Sequence, residues 1–159
     1  MDAKGAGGAL TEVSVVIPAY NEEARLGATL DRVLEYARES GLDCEILVVD
    51  DGSEDGTAAL AASYADRGVR LLKNPGNRGK GYSVRHGMLE GTKALVLFSD
   101  ADLSTPIEEL GKLAAPVLAG RADGAIGSRA VSGSNVEVSQ PFYRVAMGKI
   151  FNRFVRLIA

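Results

Sequence analysis

The chain has 159 residues, 46% of them hydrophobic and 25% charged, and a net charge of −3. That balance fits one globular domain with a real core and excludes a bulk electrostatic affinity for nucleic acid. Cys44 is the single cysteine, which excludes an internal disulfide and points to a reducing compartment, and no apolar run is long enough to span a bilayer.

Residues 1–10 are rich in Gly and Ala and lack the hydrophobic centre of a signal peptide, so a disordered leader is expected there and a folded domain over 11–159. From there on, β-rich runs alternate with helical patterns, with strands expected over 13–17, 45–49, 69–72, 94–98 and 124–127. A β-α-β-α order implies a mostly parallel sheet with helices on both faces, and ligands of such sheets bind at the carboxyl ends of the strands. Each strand exit is therefore read for chemistry.

The first strand leads into Pro18-Ala19-Tyr20-Asn21-Glu22-Glu23, a turn and helix start with Asn21 as the expected cap. Tyr20, an aromatic among polar residues, offers a flat face on which a base could stack. Leu26, Leu30, Val33, Leu34 and Ala37 follow at helical spacing. The second strand ends in Asp50-Asp51-Gly52-Ser53. Neighbours on a strand point to opposite sides, so only one of the two acids faces the crevice. Ser53 or Asp55 is expected to cap a helix ending near Gly68.

After the third strand comes a glycine-rich basic loop, Lys73-Asn74-Pro75-Gly76-Asn77-Arg78-Gly79-Lys80-Gly81. It is not a Walker loop, because Gly81 stands where Ser or Thr is required, nor a dinucleotide fingerprint, because Val84 replaces the last glycine. Arg78, Lys80 and Arg85 are available to phosphate. His86, the only histidine, has no nucleophile motif near it and is expected to be non-catalytic.

The fourth run, read as a strand buried on both faces, delivers Asp100 and Asp102. Alternation along an extended chain sets the two carboxylates on one side, a pair of hard ligands suited to Mg2+ or Mn2+. Thr105 and Glu108 have capping-box spacing, with Pro106 at the expected first helical position. Ser128-Arg129 follow the fifth run. Met147, Ile150, Phe151, Phe154, Val155 and Ile158 then form an apolar stripe with basic residues mostly elsewhere, fitting either a helix on an anionic membrane surface or one docked on the sheet.

Taken together, Val15-Val16-Ile17-Pro18-Ala19-Tyr20-Asn21-Glu22, Val48-Val49-Asp50-Asp51-Gly52-Ser53, Asn77-Arg78-Gly79-Lys80-Gly81 and Ser99-Asp100-Ala101-Asp102-Leu103 resemble the family-two glycosyltransferases of the GT-A fold. Gly127-Ser128-Arg129 and Pro141-Phe142-Tyr143-Arg144 add a likeness to the polyprenyl- or dolichyl-phosphate hexose synthases. The Asn-Arg-Gly-Lys-Gly run and the Ser-Thr-Pro after the acids lean toward their β-glucosyl branch.

The resemblance implies an α/β domain with a Rossmann-like nucleotide-binding half. Pro18, Tyr20, Glu22, Val49 and Asp51 would hold the nucleotide, with Lys80, Asp100 and Ala101 completing the donor site. Asp102 would be the main ligand of Mg2+ or Mn2+, with Ser104 where mannosyl enzymes carry a glutamine, and Arg129 and Arg144 would receive the acceptor phosphate. The implied reaction is metal-dependent, inverting transfer of glucose from UDP-glucose to a polyprenyl phosphate by a cytoplasmic protein peripheral to the membrane. Mannose from GDP-mannose is the alternative donor, and a nucleotide-sugar binding module without turnover the alternative function. Family members extend beyond the region matched here, so a C-terminally incomplete domain is expected.

Overall fold

The computed structural model describes residues 10–127. β1 (Glu12–Ala19), α1 (Glu23–Ser40), β2 (Asp43–Asp50), α2 (Thr57–Ser63), β3 (Val69–Lys73), α3 (Lys80–Glu90), β4 (Val96–Phe98) and α4 (Leu110–Leu118) follow in chain order. The strands form a four-stranded parallel sheet in the order β3-β2-β1-β4.

Period-two alternation explains the two cores. Val13, Val15 and Ile17 of β1, with Ile46 and Val48 of β2, meet Leu26, Leu30 and Val33 of α1 and Ala61 of α2. Val16, Leu47 and Val49 face the other way, with Leu72 and Val96 against them. α3 covers this second face, and Gly87 lets it do so: a Cβ there would lie 2.3 Å from a methyl of Val16 and 2.9 Å from one of Val49. Helices therefore lie on both faces, as expected.

The chain runs outward from β1 to β2 to β3, then returns through α3 to set β4 on the other side of β1. The strand order reverses between β1 and β4, and a crevice opens at their carboxyl ends for that reason. Among the described residues no helix is long and apolar enough to cross a membrane.

Three local expectations need correction. β4 spans only Val96–Phe98 and is half-buried, with Phe98 40% exposed, because among the described residues it pairs with β1 alone and forms an edge. Residues 124–127 form no strand: two glycines flank Ala125 and Ile126, Ile126 is 92% exposed, and such a run buries too little to favour pairing. Thr105 and Glu108 make no capping box. A 3-10 turn at Ile107–Glu109 precedes α4 with Pro106 just outside it, and Glu108 reaches across to Arg32 instead.

Candidate functional site

The loops at the carboxyl ends of the strands are tied to one another by long-range hydrogen bonds. Asn21 is not the cap of α1. It takes the left-handed conformation (φ 54°), which asparagine tolerates better than most residues, and its side-chain oxygen accepts the Glu54 amide at 2.9 Å. Its own amide donates to Ser53 Oγ. α1 is capped from the neighbouring loop, with Thr57 Oγ1 accepting the Glu22 amide at 2.8 Å and Asp55 the Glu23 amide at 3.2 Å. Asp55 also accepts the Thr57 amide, but the N-cap of α2 is Gly56 rather than Ser53 or Asp55.

Asp50 and Asp51 divide as alternation requires. Asp50 accepts the Ser53 amide and closes its own turn. Asp51, 4% exposed, accepts hydrogen bonds from Asn74 Nδ2 at 2.7 Å and the Arg78 amide at 2.9 Å on Oδ1, and from the Gly79 amide at 2.7 Å on Oδ2. Burial alone would raise the pKa of this carboxyl, but the bonds from Asn74, Arg78 and Gly79 outweigh it and hold the group below its ordinary value. The basic loop is thus fastened to β2 at the residue before Lys80. Gly52 (φ 78°) lets the two loops touch, since a Cβ there would lie 2.9 Å from the Asn77 nitrogen.

The acids after β4 reach the crevice by a turn rather than by extended alternation. The Leu103 amide donates to the Asp100 carbonyl, and Leu103 adopts φ 46°. Ala101 is buried, its carbonyl accepting Thr29 Oγ1 at 2.6 Å. Lys80 Nζ lies 2.6 Å from Asp100 Oδ1 and 5.3 Å from the Phe98 ring centre. The Ser104 amide donates to Asp102 Oδ1 at 2.9 Å and orients that carboxylate.

Between these loops lies a cleft of about 280 Å³ lined by Pro18, Ala19, Tyr20, Glu22, Asp51, Lys80, Ser83, Asp100, Ala101 and Asp102. It sits at the switch point between β1 and β4. Two residues named from sequence lie outside this lining: Val49, fully buried in the second core, and Ser104, exposed beside Asp102. Arg129 and Arg144 lie outside the described residues. Sequence reasoning missed Asn74 and Ser83. Ser83 stands three residues after Lys80 in α3, a spacing that puts both on one helix face and could have revealed it.

Among the described residues four carboxylates face the cleft, with the ammonium of Lys80 beside them. Among the described residues no three acidic, histidine or cysteine side chains gather into a closed metal cage. Hard oxygens around an open space instead suit a cation that shares its shell with water and a ligand's phosphates.

A family model described as glycosyl transferase family 2 matches residues 14–157. The chain belongs to this family. Its fold is that of the GT-A glycosyltransferases, with its own cleft on the carboxyl side of a parallel sheet. A dolichyl-phosphate β-glucosyltransferase from Drosophila melanogaster is 39% identical over 93% of this chain and 50% of its own length. A dolichol-phosphate mannosyltransferase from Pyrococcus furiosus is 37% identical over 87% of this chain and 38% of its own length. The solved glucosyl-3-phosphoglycerate synthase of Mycobacterium tuberculosis, in complex with Mn2+, UDP and glucosyl-3-phosphoglycerate, shares 29% identity. It covers 72% of this chain and 42% of that one, at a TM-score of 0.55. This family member spans half or less of the length of the curated relatives it matches.

Proposed function

We propose that the cleft is the donor site of an inverting hexosyltransferase that moves glucose from UDP-glucose to a polyprenyl or dolichyl phosphate at the cytoplasmic face of a membrane. The observation that carries this reading is the convergence of Tyr20, Asp51, Lys80, Asp100 and Asp102 on one crevice at the strand-order reversal.

Each group has a task that its surroundings support. Tyr20, 43% exposed, offers a ring for the base to stack on. An ionised carboxylate has about four acceptor positions, and Asp51 uses three on Asn74, Arg78 and Gly79. The remaining one suits the single ring N–H of uracil better than guanine, which offers neighbouring ring and amino donors. Lys80 supplies positive charge at the diphosphate end, and Pro18, Glu22 and Ala101 shape the walls.

The acidic lining would repel a bare diphosphate, so a divalent cation fits here, Mg2+ or Mn2+, held by Asp102 with Ser104 beside it. When bound it would offset the charge of the departing nucleotide. The acceptor phosphate is already ionised near neutral pH and needs no general base. One of its oxygens bonds to the anomeric carbon as the bond from that carbon to the UDP β-phosphate oxygen breaks. UDP leaves, no proton moves, and an α-linked donor gives a β-linked product. Arg129 and Arg144 are assigned to the acceptor phosphate, where paired guanidinium bonds would aim the attacking oxygen.

Likeness to a dolichol-phosphate mannosyltransferase favours GDP-mannose as the second reading. Calorimetric titration of UDP and of GDP, with and without Mn2+, separates the two. UDP binding that requires Mn2+ supports the first; a preference for GDP supports the second; binding of neither overturns both. Formation of a lipid-linked sugar by the full-length enzyme, from UDP-glucose and a polyprenyl phosphate, then separates a transferase from a binding module without turnover.

A further inference from the structure

Behind Asp51 lies a chain of polar side chains that the transfer reaction leaves unused. Asn74, at the exit of β3, is 8% exposed and bridges three elements. Its Nδ2 donates to Asp51 Oδ1 at 2.7 Å and to Ser83 Oγ, on α3, at 2.9 Å. Its Oδ1 lies 2.8 Å from Nδ1 of His86, one turn further along the same helix.

The chemistry of the partners fixes every proton in this chain. An ionised carboxylate can only accept, so the group of Asn74 that meets Asp51 is the NH2. The amide oxygen is then turned toward His86, and an oxygen can only accept. His86 Nδ1 must therefore carry hydrogen and donate it. A reversed Asn74 amide would set oxygen against the Asp51 carboxylate and N–H against the N–H of His86, two repulsive contacts in a buried place.

We infer that His86 is a positioning residue for nucleotide recognition, acting through the amide of Asn74 on the carboxylate of Asp51. It rests on the reading of the cleft as the donor site. Among the described residues the His86 side chain has its hydrogen bond to Asn74, and the cleft lining does not include it. Its hydrogen bond holds the Asn74 amide in one orientation; Asn74 and the two loop amides hold Asp51 so that one acceptor position is left for the base. Without that donor the buried Asn74 amide oxygen is left unpaired, the amide can tilt toward another partner, and its bond to Asp51 is weakened.

The test compares binding of two probes to the full chain with Mn2+ present: UDP, which engages both ends of the site, and pyrophosphate, which engages only the phosphate end. His86→Leu removes the donor and is expected to weaken UDP about tenfold while pyrophosphate stays within about twofold. His86→Asn keeps an N–H near the position of Nδ1 and is expected to bring UDP back to within about threefold of wild type. Asn74→Ala cuts the same chain one link nearer Asp51 and should give the same split between the probes, also when His86→Leu does not fold.

Equal UDP binding in wild type and in either cutting variant overturns the inference while leaving the donor site intact. Parallel loss of both probes also overturns it, because that marks general damage to the fold. So does a His86→Asn protein as weak as His86→Leu. A wild-type chain that binds pyrophosphate but not UDP overturns the donor-site reading itself, and does so before any variant is made.

Discussion

Strand β2 carries a sheltered carboxylate near each end, and the two are treated differently. Near the amino end, Glu45 accepts Ser14 Oγ at 2.8 Å and both the amide and the hydroxyl of Thr92 at 3.0 Å on one oxygen, and Arg70 on the other. Its four bonds, three on one oxygen and one on the other, knit β1, β3 and the turn before β4 to β2. Just past the carboxyl end, Asp51 receives three bonds and lines an open cleft. The contrast separates a polar cluster that completes the fold from one that completes it only in part and leaves a place for a ligand.

The largest effect that sharpens the contrast belongs to the cleft. Asp102→Ala removes the carboxylate assigned to the cation, and Mn2+-dependent UDP binding should fall by about a hundredfold or more with little change in melting temperature. An equal affinity in calorimetry would break the assignment. Next comes the pair on β2. Glu45→Gln and Asp51→Asn should each destabilise the fold by about 1–3 kcal/mol, since each disturbs a sheltered hydrogen-bond cluster. Only Asp51→Asn should also weaken UDP, by about tenfold. If chemical denaturation and UDP titration move together for both variants, the two ends do not differ as described.

Gly87 lies between the ends. Gly87→Ala forces α3 off Val16 and Val49, and overpacking of this kind costs about 1–3 kcal/mol. Because α3 carries Lys80 and Ser83, some loss of UDP affinity should accompany the loss of stability.

The broadest effect, spread over more than two pH units, is the response to acid. Glu45 is opposed by burial, yet the bonds from Arg70, Thr92 and Ser14 prevail and bring its pKa down to about 2. A carboxyl lowered on folding contributes stability that is present above its ordinary value and lost as pH falls toward about 2. Asp51, also lowered, adds to the loss with the same sign. Denaturation midpoints should therefore drop between about pH 4.5 and 2, and less steeply in Glu45→Gln.

Much of this was legible in the residues because its causes are local. Strand alternation left one of Asp50 and Asp51 for the crevice, the family resemblance named Asp51, and the β-α order implied a parallel sheet with its ligand side at Tyr20 and Asp100. What escaped has long-range causes. The cap of α1 comes from Thr57 and Asp55, more than thirty residues away in sequence, and leaves no mark beside Asn21. Asn74 sits in an Asn-Pro-Gly run that looks like a plain turn, and only the fold brings Asp51, Ser83 and His86 around it. The strand expected at 124–127 does not form, for Ile126 has nothing to cover it among the described residues.

The most direct measurement is a crystal structure of the chain with UDP and Mn2+, using the anomalous signal to locate the metal. The expected result is uracil against Tyr20 with its ring N–H on Asp51, and a manganese peak at Asp102. A nucleotide seated elsewhere, or manganese bound away from Asp102, would contradict the reading of this cleft.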